Sequence, residues 1–510
     1  MSFSASPNAG RFRLDPVLAA LLILAAFLLL PRLDNGLLWQ DEAESAVLAR
    51  NILRFGYPRA EDGIHRLNPA LPLAAGSAWT YHSWASFYLT AFSFRLFGPN
   101  TTAARLPSAL LGLLSLWLTA RLIRRLTGDP TLSRWTALVM VLSIPFLLHM
   151  RQCRYYAPSV FLSLWVVWAA LRVWKGRRWA AVELLLALLL LFHTHHGVFV
   201  PLLSGLIFYT LWTRPPAPVR RRFLRIAALA ILLCLPFVFY LQAGQHGAKP
   251  SWKEISHHTQ FYFRQINKYL LPVILWGLLL AAWRPRRQQI LGTSASPLRE
   301  TWRLALCILA PGLIFLILGP TQRHFRYLVY LIPWILFIHA ALILRLIQSR
   351  PKIGGCVAAV ALFLQPGSPV RSLPLEMVGE LTHRYRGPMD GVVELLSREG
   401  KPGQTVKIPY EDHTLIFYTP HLRTEPIIHP EDFARETFPD WIVLRRDWLP
   451  SGFLESNYFH RIQNSYREIV LDAPDIPWQN RPDPGYHRFR TDHTAPPVRV
   501  FRKRDLKRDR

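Results

Sequence analysis

HSWASFYLTAFSFRLFG, residues His82 to Gly98, is apolar enough to cross a bilayer, and whether it crosses decides the fold. Longer apolar runs surround it: VLAALLILAAFLLL near the N-terminus, then ALLGLLSLWLTA, VELLLALLLLF and IAALAILLCLPFVFYL. Such runs recur from Val17 to about Leu364, and with their flanks each approaches the ~20 residues that span hydrocarbon. Arg and Lys crowd the short loops between them, at Arg124-Arg125, Lys175 to Arg178, Arg220 to Arg222, Arg284 to Arg287 and Arg345 to Lys352. Cytoplasmic loops carry that bias. With the N-terminus (Arg11, Arg13) in the cytoplasm, every cluster falls inside only if 82–97 does not cross. The stretch is therefore expected to be an interfacial or re-entrant helix.

The resulting expectation is an all-α polytopic membrane bundle of about eleven transmembrane helices over residues 1–365, with interfacial helices in a first external loop, 34–104. After the first apolar run, the spans fall near 105–122, 134–150, 157–174, 179–192, 197–213, 223–241, 269–283, 302–318, 326–345 and 353–365. The first run ends in PRLDN without a small-residue cleavage pattern and reads as a retained anchor. RQCRYYAP, HTHHG, the loop Gly244 to Lys268, TQRHFRY and everything after Gln365 are then external. Residues 366–510 read as a small extracytoplasmic α/β domain. DGVVELLSREG is its helix, stopped by Gly400, and QTVKIPY, TLIFYT, DWIVLRR, REIVLDA and VRVFRKR are its strands.

A formal charge of +28 raises the question of nucleic acid, but the basic residues sit in short loops between spans, so no nucleic-acid partner is expected. The tail FRKRDLKRDR is a terminal, solvated run. Cysteines at 153, 234, 307 and 356 form neither a disulfide framework nor a zinc pattern.

GLLWQDEAESAVLARNILRFG, Gly36 to Gly56, puts Asp41 and Glu42 side by side where the chain has just left the first span. The plain structural explanation is a helix start: Asp41 as N-cap, Glu44 completing a capping box, and Val47, Leu48, Ile52 and Phe55 as an apolar stripe on the membrane surface. It leaves Glu42 unexplained. A base held where a lipid-borne substrate meets water is the alternative.

WQDEAESAVLARNILRFGYP resembles the first-loop signature of the C-type glycosyltransferase superfamily, in the family 39-like branch of protein mannosyltransferases and the lipid A aminoarabinose transferase. FRLFGPNTTAARLPSALLGLL, RQCRYYAPSVFL and RHFRYLVYLIP resemble the later blocks of that branch, in order, over about 35–345. FYTPHLR and DWIVLR look like the extracytoplasmic domain of bacterial members. The resemblance implies an enzyme of the bacterial inner membrane that inverts a sugar carbon, moving a sugar from a polyprenyl-phosphate donor to a lipid, glycan or protein acceptor on the outer face. It implies Asp41 as general base, with Glu42 positioning the acceptor or assisting a divalent metal ion. No ligand set for such an ion stands out.

For the departing phosphate, the external Arg154, Arg323 and Arg326 have the right planar fork, though each could equally meet lipid headgroups or a structural partner. Tyr155, Tyr156 and Tyr327 are candidates to line the site or members of an interfacial aromatic belt. His82 and His196, with His193 and His195, offer phosphate or metal contacts, or plain interfacial hydrogen bonds. The aminoarabinose branch has a Glu-Lys-Pro-Pro-like element where this chain has SAWTYHSWASFYL, so the phosphate clamp is expected to differ, with His82 or Arg66 as substitutes. A transporter or flippase of lipid-linked sugars is the competing class; it calls for mid-membrane charges and a pseudo-symmetric repeat, and the sequence has few of the former and no repeat. A binding scaffold, with Asp41 merely a cap, is the third.

Overall fold

A computed structural model of the protein describes residues 15–69, 74–241, 250–282, 296–319, 322–363, 373–427, 438–449, 451–477, 480–487 and 493–504. Arg11, Arg13, Arg284 to Arg287, residues 244–249 and the 365/366 boundary lie outside the described residues, while the expected loop Gly244 to Lys268 is helical from Trp252 onward.

The N-terminal region is mostly helical among the described residues, apart from the loop that follows Phe55. Helix α1 (Pro16–Leu29) begins on Asp15, whose carboxylate accepts from the amides of Val17 and Leu18. Then follow α2 (Gln40–Phe55), α3 (Ala85–Phe97), α4 (Thr101–Thr127), α5 (Pro130–Val141), α6 (Ile144–Met150), α7 (Tyr156–Trp174), α8 (Ala180–Thr194), α9 (His196–Thr213), α10 (Ala217–Tyr240), α11 (Trp252–Tyr269) and α12 (Val273–Ala282). Helix α13 (Ser296–Leu318), a 3-10 stretch Phe325–Leu331, α14 (Ile332–Ser349) and α15 (Pro351–Phe363) complete the bundle. Among the described residues, six helices are long and apolar enough to cross a membrane, and three more apolar helices are shorter. The span expected at 134–150 is not continuous: α5 and α6 meet at 68° around Ser143–Pro145, where proline cannot supply a helical amide.

Two hydrophobic cores divide this region. One joins α1, α4 to α10, α13 and α14. The other joins α2, α3 and the first turn of α4 with Ile416 and Phe417 from the far end of the chain. Helix α3, the stretch whose reading decides the fold, belongs to the second core. Its thirteen residues cover about 20 Å, less than a hydrocarbon layer. The expected surface stripe of α2 is corrected here too: Val47, Leu48 and Ile52 are buried in this core, because α3 and the C-terminal region cover them.

Beyond α16 (Leu373–Thr382) and α17 (Pro388–Glu399), a five-stranded sheet forms from β1 (Thr405–Ile408), β2 (Arg423–Pro426), β3 (Trp441–Leu444), β4 (Tyr466–Pro474) and β5 (Pro497–Lys503), in the order β2-β1-β3-β5-β4. Strands β2, β1 and β3 are parallel, while β5 pairs antiparallel with both β3 and β4. Four expected strands are present, and β2 was missed. TLIFYT is not a strand. It lies in helix α18 (Asp412–Tyr418), because its apolar side chains fill two cores at once: Leu415 under the sheet, Ile416 and Phe417 against α2 and α3. The last helix, α19 (Asn457–Ser465), precedes β4.

Candidate active site

Helix α2 starts at Gln40, with Trp39 as N-cap and no side-chain cap. Asp41 is thus in the first turn rather than at the cap, and the expected capping box does not form. Its carboxylate turns to two guanidiniums instead. Arg326 Nη1 donates to Asp41 Oδ2 at 2.5 Å, and Arg154 Nη2 lies 3.7 Å from the same oxygen. Asp41 is 23% exposed, Arg326 15% and Arg154 4%. Burial alone would raise the carboxyl pKa, but Arg326 and Arg154, with smaller contributions from Arg481 and His413, hold it below the ordinary aspartate value.

Arg154 ties this corner together. Its Nη1 donates to the Asp41 carbonyl (2.9 Å), to Glu44 Oε1 (2.9 Å) and to Ser45 Oγ (3.0 Å). Glu44, one turn beyond Asp41 on the same helix face, also accepts from Asn68 Nδ2 at 3.2 Å and faces His82 Nδ1 at 3.5 Å.

Glu42 points the other way. It is fully enclosed, accepts two bonds from Arg105 (2.9 and 2.6 Å) and one from the Cys153 amide (2.7 Å), and has no open side for an acceptor or a metal. Arg105 also donates to the carbonyls of Leu33, Asn35, Gly36 and Leu37, which fixes the turn that delivers Asp41. Glu42 and Arg105 are a positioning pair; removing one partner of such a buried pair costs about 3–5 kcal/mol.

Tyr155 and Tyr156 stand beside Arg154, with ring centroids 4.9 Å apart, and Arg154 lies over the Tyr155 ring at 5.4 Å. Arg326 lies 5.7 Å over the Tyr327 ring. His82 and His195 reach Tyr155, at 6.3 and 4.2 Å between centroids. His196 stacks on His195 at 5.9 Å, and His193 packs on Phe237. Arg323 is exposed at the rim. Arg66 lies 3.9 Å from Glu61 in a weak ion pair. No group of three or more metal-ligating side chains converges among the described residues.

The sequence reading missed the contribution of the C-terminal region. Gln40, next to Asp41, donates to Asp412 Oδ1 (2.7 Å) and accepts from the His413 amide (3.2 Å). Arg50 donates to the carbonyls of Ile416 and Phe417, and Tyr418 bonds the Leu38 amide and Thr101. Asn480 donates to the Leu37 carbonyl. Arg481, ion-paired with Asp483 at 2.8 Å, meets His324 at 3.0 Å, two residues before Arg326. A third guanidinium therefore enters from residues 480–487. No local pattern marked it, since its role depends on where the chain end docks.

Residues 81–240 match the family model described as dolichyl-phosphate-mannose-protein mannosyltransferase. An undecaprenyl phosphate-alpha-4-amino-4-deoxy-L-arabinose arabinosyl transferase of Pseudomonas fluorescens is 25% identical over 298 residues, 52% of this chain and 49% of that one. The chain thus spans about half the length of that curated relative. Among solved structures, ArnT from Cupriavidus metallidurans bound to undecaprenyl phosphate superposes with a TM-score of 0.54 at 15% identity, covering 96% of this chain and 98% of the other. The arabinofuranosyltransferase AftD from Mycobacteria gives 0.52 at 16% identity, covering 97% of this chain and 40% of the other. These likenesses share one fold, and the apolar helices make this an integral, multi-pass membrane protein.

Proposed function

We propose, for a chain that belongs to the C-type glycosyltransferase superfamily, inverting transfer of a sugar from a polyprenyl-phosphate donor to a lipid, glycan or protein acceptor on the outer face of the bacterial inner membrane. The observation that carries the reading is Asp41: a partly open carboxylate at the head of α2, held between Arg326 and Arg154. The donor's phosphate is a competent leaving group. It needs cations where charge develops, and the acceptor needs a base for its proton. As the acceptor oxygen bonds the sugar carbon, the carbon–phosphate-oxygen bond breaks, Asp41 takes the acceptor proton, and the phosphate leaves between the guanidiniums. A carboxylate kept ionised is ready for that proton, which transfers late, once the bonded oxygen has become acidic. A divalent ion has no evident ligand set among the described residues, and no step runs through one.

The same reading keeps eleven spans, a cytoplasmic N-terminus and an extracytoplasmic C-terminal domain over 366–510. Its support is that α3 lies in the core shared with α18 rather than in the membrane bundle. A transporter would place charges at mid-membrane; the buried charges of this site instead cluster at helix ends and loops.

Asp41→Asn in proteoliposomes, assayed with radiolabelled polyprenyl-phosphate sugars and membrane-extract acceptors, should lower transfer by at least about 10²–10⁴-fold while donor binding persists. Unchanged transfer would remove Asp41 as the base.

A further inference from the structure

The loop before α3 carries Trp79, Tyr81 and His82, and their rings run on into those of Tyr155 and His195. His82 lies 6.1 Å from Trp79 with planes 23° apart, 4.6 Å from the Tyr81 ring and 6.3 Å from Tyr155; Tyr155 lies 4.2 Å from His195. The row begins at Glu44, by way of His82, and Glu44 is one helical turn from Asp41. One helical turn rises about 5 Å, about the width of one sugar ring.

Four buried polar atoms along the row have no hydrogen-bond partner among the described residues: Trp79 Nε1, His82 Nδ1, His195 Nδ1 and the Tyr156 hydroxyl. Trp79 is 3% exposed and Tyr156 1%. Buried donors and acceptors of this kind are normally satisfied, and hydroxyl groups of a bound molecule are what would satisfy them. The row offers nothing to a cation. Glu44 is already bonded by Arg154 and Asn68, and Asp483 from the C-terminal region is ion-paired with Arg481. Burial, then Arg154, then His195 and Arg326, hold the His82 pKa well below the ordinary imidazole value.

We propose that the row Trp79–His82–Tyr155–His195 seats the donor's sugar ring, and that the sugar it accepts is uncharged and recognised through its hydroxyl groups. The inference rests on the polyprenyl-phosphate reading above and adds the chemical class of the sugar.

The test uses the full chain in nanodiscs and binding rather than turnover. Three probes compete against tritiated undecaprenyl phosphate: unlabelled undecaprenyl phosphate, its arabinosyl derivative, and the 4-amino-4-deoxyarabinosyl derivative, which replaces one hydroxyl with an ammonium. The arabinosyl donor should bind at least about tenfold tighter than the amino donor. In Trp79→Phe and His82→Phe, which keep a ring but remove the polar nitrogen, that advantage should fall toward one while unmodified undecaprenyl phosphate binds as before. Equal or tighter binding of the amino donor to the unaltered protein overturns the proposal, as does an advantage that survives both substitutions. Failure of undecaprenyl phosphate itself to bind would instead overturn the donor reading, and this inference with it.

Discussion

At the residue scale, the chemistry of Asp41 is governed by its two arginine neighbours. With its pKa held below the ordinary aspartate value, Asp41 as the proposed base predicts an acid limb in kcat/KM that lies below the ordinary aspartate range. Arg326→Gln removes the closer guanidinium and leaves burial less opposed. The limb should then move upward. A pH profile measured with saturating acceptor checks this, and a limb that stays in place or moves down contradicts the assignment. Glu42 shows the opposite fate for a neighbouring carboxylate. It has the same chemistry and adjacent sequence, yet all its bonds go to Arg105 and Cys153 because the helix turns it about 100° from Asp41.

At the element scale, the short helix α18 joins the C-terminal region to the corner around Asp41. Glu411 enters it with φ +68, a left-handed conformation that non-glycine residues seldom adopt, and is ion-paired with the buried Arg445, which also bonds Asp475 at 2.7 Å. Phe417 then stacks on Phe94 of α3 at 6.0 Å between centroids. Phe417→Ala should cost about 3–5 kcal/mol by leaving a cavity between α2, α3 and α18. Thermal unfolding followed together with limited proteolysis should show a lower Tm and earlier cleavage near residues 404–412. A Tm unchanged from the parent would mean that α18 does not brace α2.

At the scale of the whole molecule, the orientation of the bundle is the point at issue. If α3 lies outside the hydrocarbon, Thr102 and Arg124, both exposed and at opposite ends of α4, face opposite sides of the membrane. In a cysteine-less background, Thr102→Cys should react with an impermeant maleimide added to intact spheroplasts and Arg124→Cys should not. The reverse labelling would make 82–97 a true span and invert every later loop.

The bundle was legible in the sequence because a membrane imposes a one-dimensional rule. Apolar length and loop charge are local quantities, and they found α4, α7 to α10, α13 and α14 close to their observed positions. Asp41, Arg154 and Arg326 were legible from short blocks standing in order along the chain. What the amino-acid order could not disclose was set by contacts hundreds of residues apart. TLIFYT alternates like a strand, yet becomes a helix because two separate cores claim its side chains. Glu42 and Glu44 look alike as text, and only the arrival of Arg105 from one side and Arg154 from the other assigns one to the turn before α2 and the other to the corner around Asp41. Arg481 enters the site through docking of the chain's end on Gln40 and Leu37. The sequence by itself determined which segments prefer lipid and which carry charge, since transfer free energy is a property of each residue. The tertiary structure decided which charges meet, since Coulomb attraction and hydrogen bonding depend on distances that exist only once the chain has folded.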